Sequence, residues 1–314
     1  MFFLLAACSP DVDLPEGSAS VSEVEDLRRD DFPLPPEGGM QWITPDYVIP
    51  AFSEQMMCWV TTWEGETTGI SGLYTYQSPL GHHVVVNLTN ADPTALPDGS
   101  TFDCTKTEDL PMTELEPLMV GGVIGGAENN NEGAVVLPEG MATRLASGSR
   151  LILQSHYVNA TANDILVRDV VNVAFVPESE VDIWAAAFVH VQTDLAIPEG
   201  PSSIDFKCTW EQDATLLFLG GHMHEWGASF STKYTPIGGE ETVIYDIPAW
   251  DPLYRDAPPV NDYQAAPWVV FTGDSFTTHC AWDNDTGGVL EFPAEMCVTF
   301  GMFYPSQIPV VCES

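Results

Sequence analysis

Thr215-Leu216-Leu217-Phe218-Leu219-Gly220-Gly221-His222-Met223-His224-Glu225 joins an apolar run to two histidines. Leu216 to Phe218 and their neighbours read as a buried strand, and residues i and i+2 of a strand point to one face. A strand that continues through His224 therefore lets His222 and His224 chelate one ion while Met223 points away. The same period in Leu151-Ile152-Leu153-Gln154-Ser155-His156-Tyr157-Val158 puts His156 on a face with Gln154, which gives a ligand a polar neighbour. His82-His83 is a different case. Adjacent strand residues face opposite ways, so this pair needs a twist or bulge, helped by Gly81, to share a metal. Five of the seven histidines, with Met296, thus fall into two three-ligand sets. Imidazoles with a soft thioether select copper, and the thioether favours Cu(I).

Runs such as Thr215 to Leu219 and Trp268 to Phe271, separated by Gly, Pro and Asp, predict many short strands and no long amphipathic helix. At 314 residues with 45% hydrophobic content the chain is long enough for two domains of ordinary size. The predicted fold is all-β: two tandem β-sandwich (jelly-roll-like) domains, residues 41–180 and 181–314, each carrying one copper site.

From about residue 40 onward the chain resembles the copper type II, ascorbate-dependent monooxygenases, the family of peptidylglycine α-hydroxylating monooxygenase and dopamine β-monooxygenase. Cys58 and then His82-His83 resemble the first copper motif. Leu137-Pro138-Glu139-Gly140, Gly148-Ser149-Arg150 and Leu153-Gln154-Ser155-His156-Tyr157 resemble the segment of the third ligand. Ile197-Pro198-Glu199-Gly200, Cys208, His222-Met223-His224, Thr278-His279-Cys280 and Glu295-Met296-Cys297 follow in the family's order.

The resemblance implies two copper ions per chain. His82, His83 and His156 hold the electron-donating copper. His222, His224 and Met296 hold the copper where O2 is activated, and are the catalytic set. Gln154 and Tyr157 are expected to support His156 from behind. The implied activity is hydroxylation of a C–H bond of a small organic substrate, with O2 and ascorbate or another one-electron donor. A copper-binding or copper-storing surface lipoprotein without turnover is the alternative. Peptide-amidating members hold a peptide carboxylate with an Arg two residues before the His-x-His and an Asn and a Tyr just after the Met-Cys. Gly220, Val298 and Phe300 stand at those places here. An apolar or aromatic substrate is therefore expected, with Phe300 and Phe303 as walls, of which strand alternation puts one elsewhere.

Met1-Phe2-Phe3-Leu4-Leu5-Ala6-Ala7-Cys8 is too short to span a bilayer, and Leu5-Ala6-Ala7-Cys8 resembles a bacterial lipobox with Cys8 as the lipidated residue. Residues 1–8 are thus expected to be a signal remnant and 9–40 a flexible acidic tether. An exported chain, lipid-anchored to a bacterial membrane and facing the periplasm or cell surface, follows from that reading. Setting Cys8 aside leaves six cysteines, enough for three disulfides with fifteen possible pairings. The resemblance picks Cys58-Cys104, Cys208-Cys312 and Cys280-Cys297.

A net charge of −37, from 46 acidic and 9 basic side chains, excludes ordinary nucleic-acid binding and predicts a soluble, self-repelling surface. A monomer is expected, with O2 and a small molecule as its other partners. Asp283-Asn284-Asp285-Thr286-Gly287-Gly288 is expected to be a turn and no calcium loop, since Ala294 stands at the twelfth position. Gly121 to Gly126 lacks the Lys-Ser/Thr of a phosphate loop and reads as a flexible loop. His190 and His279 are read as structural histidines, with His279 close enough in sequence to Cys280 to lie by the second copper.

Overall fold

Leu151 and Leu153 turn to one side of the Arg150–Asn159 strand and Ile152 and His156 to the other, so the sheet around it is built to be covered on both faces. This strand lies antiparallel between Ser53–Thr62 and Gly81–Thr89. A second sheet is centred on Thr68–Tyr76 and Val170–Pro177. Ile70, Leu73, Val171 and Val173 from the second sheet pack against Val84, Val86, Leu151 and Leu153 from the first, which makes the N-terminal half a β-sandwich. Each such fully buried side chain contributes roughly 1.5–3 kcal/mol.

The computed structural model describes residues 24–104, 115–119, 132–255, 258–292 and 294–313, and the side chains of 82, 115–119 and 313 are not among what it describes. Cys8 and the Gly121 to Gly126 stretch lie outside these residues. Among the described residues the only helices are two short 3-10 turns, Glu178–Glu180 and Pro252–Arg255.

The C-terminal half is a second sandwich. Phe188, Leu216, Leu219 and Phe303 of one sheet meet Cys208, Ile244 and Phe276 of the other. Among the described residues, strands up to Trp184 pair only among themselves, as do those from Ala186 onward, so the change of sheet falls at Ala185. Leu217 and Met302 of the second half are buried in the core of the first, with Phe218 and Tyr304 packed beside them. The halves are thereby joined by apolar contact.

The two halves are copies of one frame. In the first, Asn159 donates from Nδ2 to the carbonyls of Ile49, Pro50 and Asn163, and its Oδ1 accepts from Thr161. In the second, Asn284 donates to Ile197, Pro198 and Gly288, and its Oδ1 accepts from Thr286. The expected turn at Asp283 to Gly288 is this corner. Strand pairing extends the match. Ser53–Thr62, Arg150–Asn159 and Gly81–Thr89 correspond to Gly200–Thr209, Ser275–Asn284 and Gly227–Thr235. Both copies carry a bulge at one place: between His83 and Gly81 opposite His156 and Tyr157, and between Ser229 and Gly227 opposite Ala281 and Trp282. His82, His83 and His156 therefore correspond to Ala228, Ser229 and Ala281.

Residues 24–40 depart from the expected tether. Glu25–Asp26 pairs in parallel with Ile165–Leu166, Leu27 packs beside Tyr47 and Ile49, and Arg29 pairs with Glu132 at 2.8 Å. A free strand edge and fixed charge partners bind this acidic stretch to the first sandwich in spite of its poor apolar content.

All three disulfides, Cys58–Cys104, Cys208–Cys312 and Cys280–Cys297, are present.

Candidate metal centre

His83 and His156 are cross-strand partners, and their rings stand edge to face with centroids 4.8 Å apart. The bulge needed for adjacent histidines falls at His82, whose backbone is the extra residue between Gly81 and His83. Gly81 matters through Gln77: a Cβ on Gly81 would come within 2.7 Å of the Gln77 side chain. Its absence lets Gln77 Nε2 donate to the His83 carbonyl at 3.2 Å and to Asp169 at 3.3 Å.

His156 is held by a residue the sequence reading did not single out. Its Nε2 lies 2.7 Å from Glu54 Oε1. A carboxylate only accepts, so Nε2 carries the hydrogen, and the imine nitrogen of the neutral ring is Nδ1. The hydrogen bond from His156 holds the Glu54 carboxyl at about 2, with the charge of Arg255 acting the same way. Glu54 sits two residues before Met56, the registered neighbour of His156, and that spacing on an alternating strand was the available signal.

The expected support by Gln154 and Tyr157 takes a different form. Gln154 shares the His156 face, where its registered neighbours are Cys58 and Val85. Tyr157, one residue on, points to the opposite face, as strand alternation requires. It is fully buried there and donates its hydroxyl to Asp169. Burial pushes the Asp169 carboxyl up to about 6. Tyr157 therefore braces the backbone of His83, by way of Asp169 and Gln77.

In the second half the strand Ala214–His222 ends one ligand earlier than expected. His222 and His224 still have rings 5.1 Å apart, and Met223 is fully buried away from them, in a cluster with Phe230 and Cys280. His224 Nδ1 donates to the Ala294 carbonyl at 3.0 Å, which leaves Nε2 as its imine nitrogen. The buried Glu295 carboxylate ties this turn to the next one. It accepts from the backbone N–H of His224 at 2.6 Å, of Met296 at 2.8 Å and of Trp226 at 3.3 Å. Burial raises its carboxyl above the ordinary range, against the pull of these backbone donors. Met296 thus sits between a residue bonded to His224 and the disulfide-linked Cys297.

The two sets meet across the junction of the sandwiches. His83 and His222 have ring centroids 6.4 Å apart, so four imidazoles run from His156 through His83 and His222 to His224. Glu225, next to His224, pairs with Arg255. Among the described residues no group of three His, Cys, Asp or Glu is placed to hold a metal. Each half brings two imidazoles, and the third donor named for each set is either the Met296 thioether or the undescribed side chain of His82. Paired imidazoles, one tautomer in each half fixed by a hydrogen bond, and a sulfur donor tethered beside His224 fit copper.

On the strand face that His222 shares, Gly220 is paired with Phe300 and His222 with Val298. The Phe300 ring fills the space over Gly220, where a Cβ would come within 2.5 Å of it. Phe303 faces the other way and is buried in the second core, so of the two expected walls only Phe300 is on the histidine face. His279 is engaged elsewhere: its Nδ1 lies 3.1 Å from Asp205 Oδ1. His190 is fully buried, 2.8 Å from Thr278 Oγ1, and burial lowers it to about 4.

Compared with known protein families and with characterised proteins, the chain matches none. Among solved structures it is similar to the major capsid protein P2 of bacteriophage PM2, at 9% identity over 84% of this chain and 98% of that one, with a TM-score of 0.31. It is also similar to PNGase F, a glycosylasparaginase from Flavobacterium meningosepticum, at 11% identity over 85% and 98%, with a TM-score of 0.34. At these identities and scores the likenesses carry nothing about activity.

Proposed function

We propose that this chain is a copper-dependent monooxygenase that hydroxylates a C–H bond of a small, uncharged, apolar or aromatic molecule with O2 and an external one-electron donor such as ascorbate. The observation that carries the reading is the run of four imidazoles across the junction, with Met296 tied beside His224. Copper, when bound, supplies the redox change and the site at which O2 reacts.

The chain's own residues supply the rest. His224, fixed by Ala294 and Glu295, presents one nitrogen in a set direction; His156, fixed by Glu54, does the same in the other half. Phe300 and Val298 give the His222 face an apolar floor, and position 220, a glycine, offers no side chain to receive a carboxylate. A nonpolar ring or chain would lie there with its C–H bond toward His222. Three disulfides support an oxidising compartment, and an exported chain anchored through Cys8 is the location proposed.

The test is anaerobic titration of the mature protein with Cu(I), then O2 uptake with ascorbate and a panel of aromatic and aliphatic compounds. Two ions per chain and substrate-dependent uptake are expected. Saturation at one ion, or a preference for zinc at both sets, would remove the proposal.

A further inference from the structure

The structure assigns Glu54 as the positioning residue of the first metal set: its carboxylate fixes the ring and tautomer of His156 and so sets how that imidazole meets a metal. This rests on the copper reading above and deepens it, from a hydrogen bond to a role in metal binding.

Three observations carry it. The first is geometric. His156 Nε2 to Glu54 Oε1 is 2.7 Å, between side chains whose backbones lie on neighbouring strands locked in register over ten residues. The contact is therefore built into the sheet. The second is the contrast in exposure. The His156 side chain is 3% exposed and that of Glu54 49%, so the carboxylate has ready access to water and is still directed inward onto the ring. The third comes from the duplicated frame. The residues that correspond to His156 and Glu54 in the second half are Ala281 and Pro201. Where the ring is missing from the frame, the carboxylate is missing too, which a general role in holding the sandwich together does not explain.

A carboxylate behind a ligating imidazole makes the ring a stronger donor and favours the higher charge on the metal.

The experiment compares wild type with Glu54→Ala, Glu54→Gln and His156→Ala. Each is titrated with copper and followed by electron paramagnetic resonance and by potentiometry, with no turnover needed. Expected for Glu54→Ala is a loss of affinity of about 10–100-fold for one of two coppers, a changed Cu(II) spectrum and a higher potential at that ion only. Glu54→Gln, which keeps an acceptor for Nε2–H, should recover most of the affinity and also guards against a folding defect in the alanine variant. If wild type binds two coppers, His156→Ala loses one, and both Glu54 variants match wild type in affinity and spectrum, the assignment of Glu54 is overturned and the copper reading stands. If His156→Ala keeps both coppers with unchanged affinity, the ligand set itself is wrong and the role of Glu54 falls with it.

Discussion

His224 has one ring nitrogen committed to a backbone carbonyl before any ligand arrives, and the backbone N–H of Met296 is held by the same Glu295 oxygen that accepts from the backbone of His224. Replacing Met296 by Ile keeps the apolar bulk and removes its sulfur. Copper should remain on His222 and His224 with less preference for Cu(I), and substrate-dependent O2 uptake should fall roughly a hundredfold or more, beyond the loss typical of an outer partner. X-ray absorption of the reduced protein should show one sulfur scatterer shared between two coppers in wild type and none in the variant. Equal signals in the two would make Met296 an ordinary packing residue.

Two buried groups should leave opposite marks on stability. Asp169 titrates at about 6 in the fold against 3.8 unfolded, so between those values the folded state binds the extra proton and stability rises as pH falls. His190 titrates at about 4 against 6.5, so there the unfolded state binds the extra proton and stability falls as pH falls. Each effect is on the order of 3 kcal/mol over its whole window, and the two largely cancel between about pH 4 and 6. Asp169→Asn should therefore lose stability on acidification more steeply than wild type, and His190→Gln less steeply, in urea unfolding at several pH values. Parallel curves for all three proteins would refute this.

At the level of the element, the turn at 222–226 and the turn at 294–297 are one unit because a single buried carboxylate accepts from both. Glu295→Ala strands three backbone donors, each worth about 1–3 kcal/mol when buried without a partner. Thermal unfolding should show a loss of several kcal/mol. Copper at this set should lose its sulfur scatterer while the copper at the His83 and His156 rings stays bound. A variant with unchanged stability would show that water replaces the carboxylate.

Much of the element scale is written in the sequence. Alternation places His222 with His224 and sends Met223 away, and the adjacency of His82 and His83 already demands a bulge at Gly81. Other features depend on contacts between strands far apart in the chain. Glu54 precedes His156 by 102 residues and meets it through sheet register, and the Tyr157 side chain is linked to the His83 backbone through Asp169 and Gln77. Periodicity within a strand shows which face a residue takes and nothing of what stands opposite.

For the whole molecule the dominant quantity is charge. At −37, like charges crowd a surface whose few cations are spent locally, as with Arg28 between Asp26 and Asp46. Salt shortens the screening length from about 10 Å at 0.1 M to about 3 Å at 1 M. The melting temperature should accordingly climb by several degrees over that range of NaCl, and by much less in sucrose of equal osmolarity. A flat salt response would mean that the repulsion is already relieved, for instance by bound cations. The duplication is the large-scale feature hidden from the sequence, because the frame is kept by corners, bulges and register while the side chains at matching stations differ.

Those differing stations make the chain its own template for engineering. The second sandwich already has the bulge at Ala228, the small Ser229 beside it and Ala281 across the strand pair. Three histidines written there, with Glu at Pro201, would reproduce the first constellation by substitution alone, without inserting or deleting a residue. The spacing of donors is thus a property of the backbone that both halves inherit, and which metal chemistry each half performs is decided by a handful of side chains laid on top of it.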